Sequence, residues 1–299
     1  MAQTDIPDAE RKIGTRDKDV PWYNPDIGNK LSPSARELLE TYSKILSAEV
    51  ENHVKRIRDQ AWEVWPYPCI GGFRFLDLAI GDSPNYPQIL QRLKTGNENF
   101  LDLGCCFGQE IRRLVADGAP SEKLYGSDLR PEFFELGYEF FGDRDKLQSK
   151  FIAADIFDPD SGLKELEGKI DILYAGSFLH LFGYEKQLEV CIRIAGLLRE
   201  KEGSLLVGRQ VGHVNAGERT HRTNPDQRIE DKQKLTQANS RFRQSEGSFT
   251  KMWETVGEKT GSKWKVNVKV EEIDETDRNM RPNDQDEGLR RLRFSVFRL

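Results

Sequence analysis

Three acidic residues close three successive apolar runs of this chain, and a glycine-bearing turn follows the first. The first run is Phe100-Leu101-Asp102-Leu103, and the turn is Gly104-Cys105-Cys106-Phe107-Gly108. Glycines at a strand-to-helix turn let the backbone approach a ligand closely, and the amide hydrogens of the helix start favour an anionic group. Such a loop is weak evidence by itself, because an ordinary tight turn uses the same residues. The second run, Leu124-Tyr125-Gly126-Ser127, ends in Asp128, 24 positions after Gly104. That offset is near the roughly 20 residues expected of a carboxylate that reads ribose hydroxyls. Leu129 follows it and is assigned to the same site. The third run ends in Ala153-Ala154-Asp155-Ile156, where the acid can accept a hydrogen bond from an adenine amino group while Ile156 packs on the ring. Alone, Asp155 reads more readily as a turn acid. Three acids ending three strands are harder to set aside.

The elements needed to hold these residues can be read from periodicity. Residues 1–30 are polar, with WYNPDIGNK as their aromatic anchor, and read as an arm. Ser32-Pro33 has the form of a helix N-cap followed by proline at the first helical position. Leu38, Leu39, Tyr42, Ile45, Leu46, Val50, Val54, Ile57, Ala61 and Trp62 then recur at helical spacing until Pro66 and Pro68, so one long helix or two consecutive ones are expected. A turn-rich stretch holds a short apolar run at 73–80. Beyond it, apolar strands at 99–103, 123–128, 150–155, 170–175 and 204–208 alternate with helices near 108–117, 131–141, 161–167 and 184–199. Strands separated this way imply right-handed crossovers and a parallel sheet. A helix at 248–259 precedes two alternating stretches, 264–273 and 291–299, joined by a loop too short for a crossover. They should pair antiparallel. The expected fold is therefore α/β and Rossmann-like: a mostly parallel seven-stranded sheet with a C-terminal antiparallel hairpin. Residues 1–95 would form an arm and helical cap, and 96–299 the ligand-binding domain, with 213–246 as a lid or acceptor insertion.

Composition limits the functions such a fold can serve. Among 299 residues, 50 acids stand against 45 bases, for a net charge of −5. So balanced a chain is not a general nucleic-acid binder, which should carry a basic field. The cysteines Cys69, Cys105, Cys106 and Cys191 form no CxxC pair, and no cluster has metal-ligand spacing, so no metal is expected. The N-terminus lacks the apolar stretch of a signal peptide, and no run approaches the roughly 18 apolar residues of a membrane span. A cytosolic protein with a small-molecule partner and no membrane insertion is expected, with a homodimer left open.

Asp102-Leu103-Gly104, Asp128, Asp155 and Ala175-Gly176-Ser177-Phe178-Leu179-His180-Leu181-Phe182 together resemble the successive motifs of class I S-adenosylmethionine methyltransferases. Cys105-Cys106 departs from them, because many members have glycine as the second small residue. More narrowly, WYNPDIGNKLSP, LDLGCCFGQ, SFLHLF, VGRQVG and SFTKMWETVG resemble the methyltransferases of fungal meroterpenoid and polyketide biosynthesis. The resemblance implies S-adenosylmethionine as cofactor, S-adenosylhomocysteine as product, and secondary metabolites as substrates. Several members methylate a carboxyl group, which implies O-methylation of a carboxylate here. Asp102 would position the loop or the cofactor's amino group, Asp128 the ribose, Asp155 and Ile156 the adenine, with Gly104 and Gly108 shaping the loop and Ser177 at the fourth strand's edge.

The acceptor side offers His180, after the fourth strand, and His213, after the fifth, as candidate bases or acceptor-positioning groups. The stretch 213–246 is rich in arginine (Arg219, Arg222, Arg228, Arg241, Arg243) and reads either as a solvated loop with one short helix or as a lid that anchors an anion. Three rivals remain. A phenol O-methyltransferase would need a histidine base. A methyltransferase-fold cyclase or regulator would bind the cofactor without transfer. A nicotinamide oxidoreductase is weakest, because GCCFG lacks the GxGxxG pattern.

Overall fold

Five short apolar strands lie parallel in a computed structural model that describes residues 16–220, 240–273 and 287–299. They are β1 (Phe100–Leu103), β2 (Leu124–Asp128), β3 (Lys150–Ala153), β4 (Ile172–Gly176) and β5 (Leu205–His213). A charged ribbon of β6 (Gly217–Thr220) and β7 (Ser240–Arg243) stands apart. β8 (Trp264–Glu272) and β9 (Leu289–Arg298) complete the main sheet, whose order is β3-β2-β1-β4-β5-β9-β8 with the last two pairings antiparallel. This is the seven-stranded sheet the sequence predicts.

Alternation along the strands decides the layers. Phe100, Ile172, Tyr174, Leu205 and Val207 pack with Ile89 and Leu93 of α4 (Tyr86–Thr95) and with Ile111 and Leu114 of α5 (Gln109–Ala116). The alternate positions Leu101, Leu103, Leu173, Ala175 and Leu206 pack against α7 (Tyr184–Leu197) and α8 (Glu246–Thr260). Both faces are therefore dry, as a parallel sheet requires.

The N-terminal section is less regular than the periodicity suggests. Ser32 caps α1 (Pro33–Glu37), its Oγ accepting from the Ala35 amide at 3.2 Å. The helix runs into a π-helical turn, Leu38–Tyr42, and stops where Lys44 takes φ +59°. It resumes as α2 (Val50–Val64). A four-residue turn of helix, α3 (Pro68–Gly71), follows, and the 73–80 run contains a 3₁₀ turn, Arg74–Leu76. The described part of the arm packs down, with Val20, Trp22 and Ile27 buried. Arg58 ties it: this buried guanidinium donates to the Asn24 carbonyl and lies 4.0 Å from the Tyr23 ring.

This helical section shares a core with the glycine turn. Val54, Ile57 and Trp62 of α2 pack with Phe133, Phe140 and Phe141 of α6 (Glu132–Phe141). Phe107, from the turn itself, sits edge-on to Phe75 at 5.0 Å and to Phe133 at 5.8 Å. Behind it Arg112, fully buried, pairs in two-pronged fashion with Asp143 at 2.8 and 2.9 Å, and Asp143 also accepts from Tyr42. Cap, turn and sheet are thus one packed unit.

Other expectations need correction. The 161–167 segment is a 3₁₀ helix, Gly162–Leu166. β3 stops at Ala153, and β5 runs five residues past the expected end, so His213 is its last residue rather than a loop residue. Where one short helix was expected within 213–246, the described residues form the β6–β7 ribbon, with Arg219 opposite Arg241. Phe242 is the one apolar side chain in the two strands, so no apolar alternation advertises them. Residues 221–239, with His221, Arg222 and Arg228, lie outside the described residues.

Glu110, the second residue of α5, joins the helical section to the sheet. Its Oε1 accepts from the Ala79 amide at 2.8 Å and its Oε2 from the Ile80 amide at 3.1 Å. Burial raises this carboxyl from 4.5 to about 7, against the pull of those two amides. An acid whose proton binds more tightly in the folded state stabilises fully below pH 4.5, and that contribution is lost as pH rises through about 7. Glu110→Gln removes this titration and sets an NH₂ group against one of the two amides. The variant should be destabilised at every pH, with the gap to wild type on the order of 1–3 kcal/mol wider at pH 5 than at pH 8. Urea unfolding across that range checks it; a constant gap would mean Glu110 does not titrate there.

Candidate ligand site at the carboxyl edge of the sheet

The turn after β1 folds back on the next strand. The amides of Gly104 and Cys105 both donate to the Ser127 carbonyl, at 2.8 and 3.0 Å. Gly104, Cys106 and Gly108 all lie in the left-handed region, at φ +78°, +51° and +64°. Cys106 is the costly one, because its Cβ crowds the backbone there. A Cβ on Gly104 would come within 2.7 Å of the Phe178 ring, so this approach is open to glycine alone.

Asp128 compensates. Its Oδ2 accepts from the Cys106 amide at 3.0 Å and its Oδ1 from the Arg130 amide at 3.2 Å. Burial pushes the carboxyl up, while those amides and that of Leu129 hold it down. Leu129 stands exposed beside it, and the Arg130 guanidinium lies 4.1 Å above the Trp65 ring. No loop amide is bonded to Asp102, so among the described residues the turn is held by Asp128 rather than by the acid that precedes it. Asp102 instead lies between Gly126 and Tyr174 in register, buried, with its Oδ2 lacking any partner. Burial first, then Glu110 and Asp128 nearby, push its carboxyl well above the usual range.

Asp155 falls two residues beyond β3, exposed, its Oδ1 accepting from the Phe157 amide at 2.9 Å. It is a turn acid as well as an edge acid. Ile156 is buried in the α7 layer. At the end of β4, Ser177 is held at φ +56°, its amide donating to the Arg209 carbonyl at 2.7 Å. His180 is buried in the 3₁₀ turn Leu179–Leu181 that follows. His213 is not at this edge. β5 passes the edge at Arg209, and four residues on, the His213 ring takes the Asn215 amide on Nδ1 at 2.9 Å and packs against Gly288, where a Cβ would lie 2.3 Å from Nε2.

Beside Ser177 opens a narrow cleft, lined also by Gln210, Arg74, Arg209 and Arg291. A wider cleft adjoins it, sharing Arg209 and Arg291 and adding Lys30, Asp77 and Asp82. Asp77 organises the wall: its Oδ2 accepts from Arg209 at 2.6 Å and from Arg74 at 3.3 Å. These arginines are not those the sequence points to. Arg209 and Gln210 sit inside the motif VGRQVG, where two polar residues interrupt an apolar strand, and that interruption was the available signal. Arg74 and Arg291 carry none, because only the fold brings residues 74 and 291 together. Among the described residues no cluster of three or more His, Cys, Asp or Glu could hold a metal ion, and no helix is long and apolar enough to cross a membrane.

Residues 22–76 match a family described as the meroterpenoid methyltransferase N-terminal domain. The O-methyltransferase atr3 of Stereocaulon alpinum is 43% identical over 98% of this chain and 80% of its own length. The Asnovolin E/Chermesin D methyltransferase nvfJ of Aspergillus novofumigatus is also 43% identical, over 80% of this chain and 81% of its own. Among solved structures, a putative S-adenosylmethionine dependent methyltransferase from Listeria monocytogenes aligns with a TM-score of 0.46 and 14% identity, over 71% of this chain and 97% of that one. With 43% identity sustained along nearly its whole length, the chain belongs to the family of fungal methyltransferases that these relatives represent.

Proposed function

We propose that this methyltransferase uses S-adenosylmethionine to methylate a carboxylate oxygen of a small organic acid, a secondary metabolite of the kind its relatives' names suggest. One observation carries the choice of acceptor: the arginine-lined cleft opens beside Ser177, on the edge that also bears Gly104 and Asp128. A carboxylic acid with a pKa of about 4 is already ionised at neutral pH, so its oxygen is nucleophilic without a base. Guanidinium groups orient it and keep it ionised, since they do not give up protons.

The residues present fit the cofactor. Gly104 leaves the backbone accessible, and the unpartnered Oδ2 of buried Asp102 suits an ammonium group. Asp128 and Leu129 would take the ribose side, Asp155 and Ile156 the adenine, and Gly108 and Ser177 the loop and strand edge. Bound there, the cofactor supplies a methyl group on a sulfonium, an electrophile needing no covalent enzyme intermediate. What this chain then contributes is orientation and exclusion of water. Turned against Gly288 and Asn215, His213 has no part in this reading; His180 remains as an acceptor-positioning group.

Aromatic and terpenoid carboxylic acids incubated with methyl-labelled cofactor should yield labelled products that lose the label on mild alkaline hydrolysis, as esters do; label surviving hydrolysis points to a phenol ether. Asp128→Ala should weaken S-adenosylhomocysteine binding at least tenfold by calorimetry, since it removes a charge-assisted contact of roughly 1.5–3 kcal/mol and frees the Cys106 amide. An unchanged dissociation constant would take Asp128 out of the site. His180→Gln, which keeps a hydrogen bond but takes no proton, should retain activity within about tenfold, or about 1.4 kcal/mol. A thousandfold loss recovered at high pH would mean a general base and sink the carboxylate reading.

A further inference from the structure

Gln210 sits at a cost to the fold. It is 2% exposed on β5, and its amide oxygen and nitrogen are both buried with no hydrogen-bond partner. A buried amide in that state has surrendered its water for nothing. Its neighbours on that face of the sheet are apolar, with Leu206 four residues back and Leu292 opposite in register. An apolar side chain would suit the position, yet glutamine stands there, in the wall of the cleft shared with Ser177, Arg74, Arg209 and Arg291.

We propose that the Gln210 amide reads the acceptor: its nitrogen donates to one carboxylate oxygen, and its carbonyl accepts from a hydroxyl on the neighbouring carbon. This rests on the carboxylate reading above and narrows it. A primary amide presents donor and acceptor side by side. A carboxylate alone satisfies the donor half and leaves the carbonyl unpaired, whereas a carboxylate flanked by a hydroxyl satisfies both. The acceptor class is therefore a hydroxy acid with the two groups on adjacent carbons. The second carboxylate oxygen is left as the nucleophile. Sites built to pair a hydroxyl discriminate strongly against analogues lacking it, because their own polar groups are then stranded.

The test uses the full chain saturated with S-adenosylhomocysteine, with 2-hydroxybenzoate and benzoate as probes titrated by NMR. Wild type should bind 2-hydroxybenzoate at least about tenfold more tightly than benzoate. In Gln210→Met the preference should shrink to within about twofold, with S-adenosylhomocysteine affinity unchanged. The same variant should melt at a higher temperature, because it removes a stranded amide. A glutamine kept for structure alone would melt lower on substitution, and that result would overturn the proposal. So would equal affinity for the two probes in wild type, binding of neither, or a preference that survives in Gln210→Met. In Gln210→Glu the charge should repel both probes while the side-chain shape is kept; undiminished binding there also overturns it. Failure of wild type to bind S-adenosylhomocysteine would instead strike the cofactor reading on which this one rests.

Discussion

One hydrogen bond sets the geometry of the whole edge: the Cys106 amide donating to Asp128 Oδ2 at 3.0 Å. The turn after β1 must reverse within five residues, and it does so through three left-handed positions, one of them a cysteine. A side chain in that region costs roughly 1–2 kcal/mol. A bond from a backbone amide to a carboxylate returns about 1.5–3 kcal/mol, enough to offset it. Phe107 then follows into the aromatic cluster of Phe75, Phe133 and Phe140. Cys106 is therefore fixed from both sides, by an acid of the next strand and by its neighbour's burial in the cap core. The helical section is not an appendage of the sheet but the other half of the turn's support.

Charge is segregated along the edge. Asp102 and Asp128 lie on β1 and β2, Glu110 lies within reach of both Asp102 and Arg209, and burial pushes all three carboxyls toward protonation. Arg74, Arg209 and Arg291 line the cleft on the β5–β9 side, with Asp77 bracing two of them. A cationic group is favoured at the acidic side and an anionic one at the basic side, and Ser177 stands where the two meet. Under the proposed reading the donor is the cation and the acceptor the anion. The arrangement then draws the reactants together from opposite directions, in surroundings where charges interact more strongly than in water.

How much of this the sequence shows depends on whether a feature is local. The five parallel strands, the helix at 246–260 and the Ser32 cap follow from periodicity and capping chemistry, which act over a few residues. So does the turn with its following acid. The β6–β7 ribbon escaped because its single apolar residue, Phe242, makes no alternation and Arg219 faces Arg241. The extension of β5 to His213 escaped because its support, β9, pairs with it only after the chain has returned from residue 289. Arg74 and Arg291, 217 positions apart in sequence, share a wall through the same long-range closure. At Asp155 the structure keeps one of the two features the sequence offers: it closes a turn, two residues past the strand it was expected to end.

Buried polar atoms without partners are few in folded proteins, because each forfeits hydration. Among the described residues, Asp102 Oδ2, Ser127 Oγ, the Tyr174 hydroxyl and both ends of the Gln210 amide fall on β1, β2, β4 and β5, while others, such as Ser43 Oγ, Ser161 Oγ and Trp253 Nε1, lie elsewhere in the fold. Tyr174 is driven well above its usual range by burial, then by Glu110, so it stays a neutral donor. A fold under selection for stability alone would have replaced such groups with apolar ones of similar volume, as it has at Leu101 and Leu173 one position away on the same strands. Those on the sheet strands lie where the ligand site is proposed, and there the protein would hold polar groups ready rather than satisfied. Readiness of that kind is what positioning catalysis needs, since groups that are already desolvated and fixed need not be reorganised when the reactants arrive.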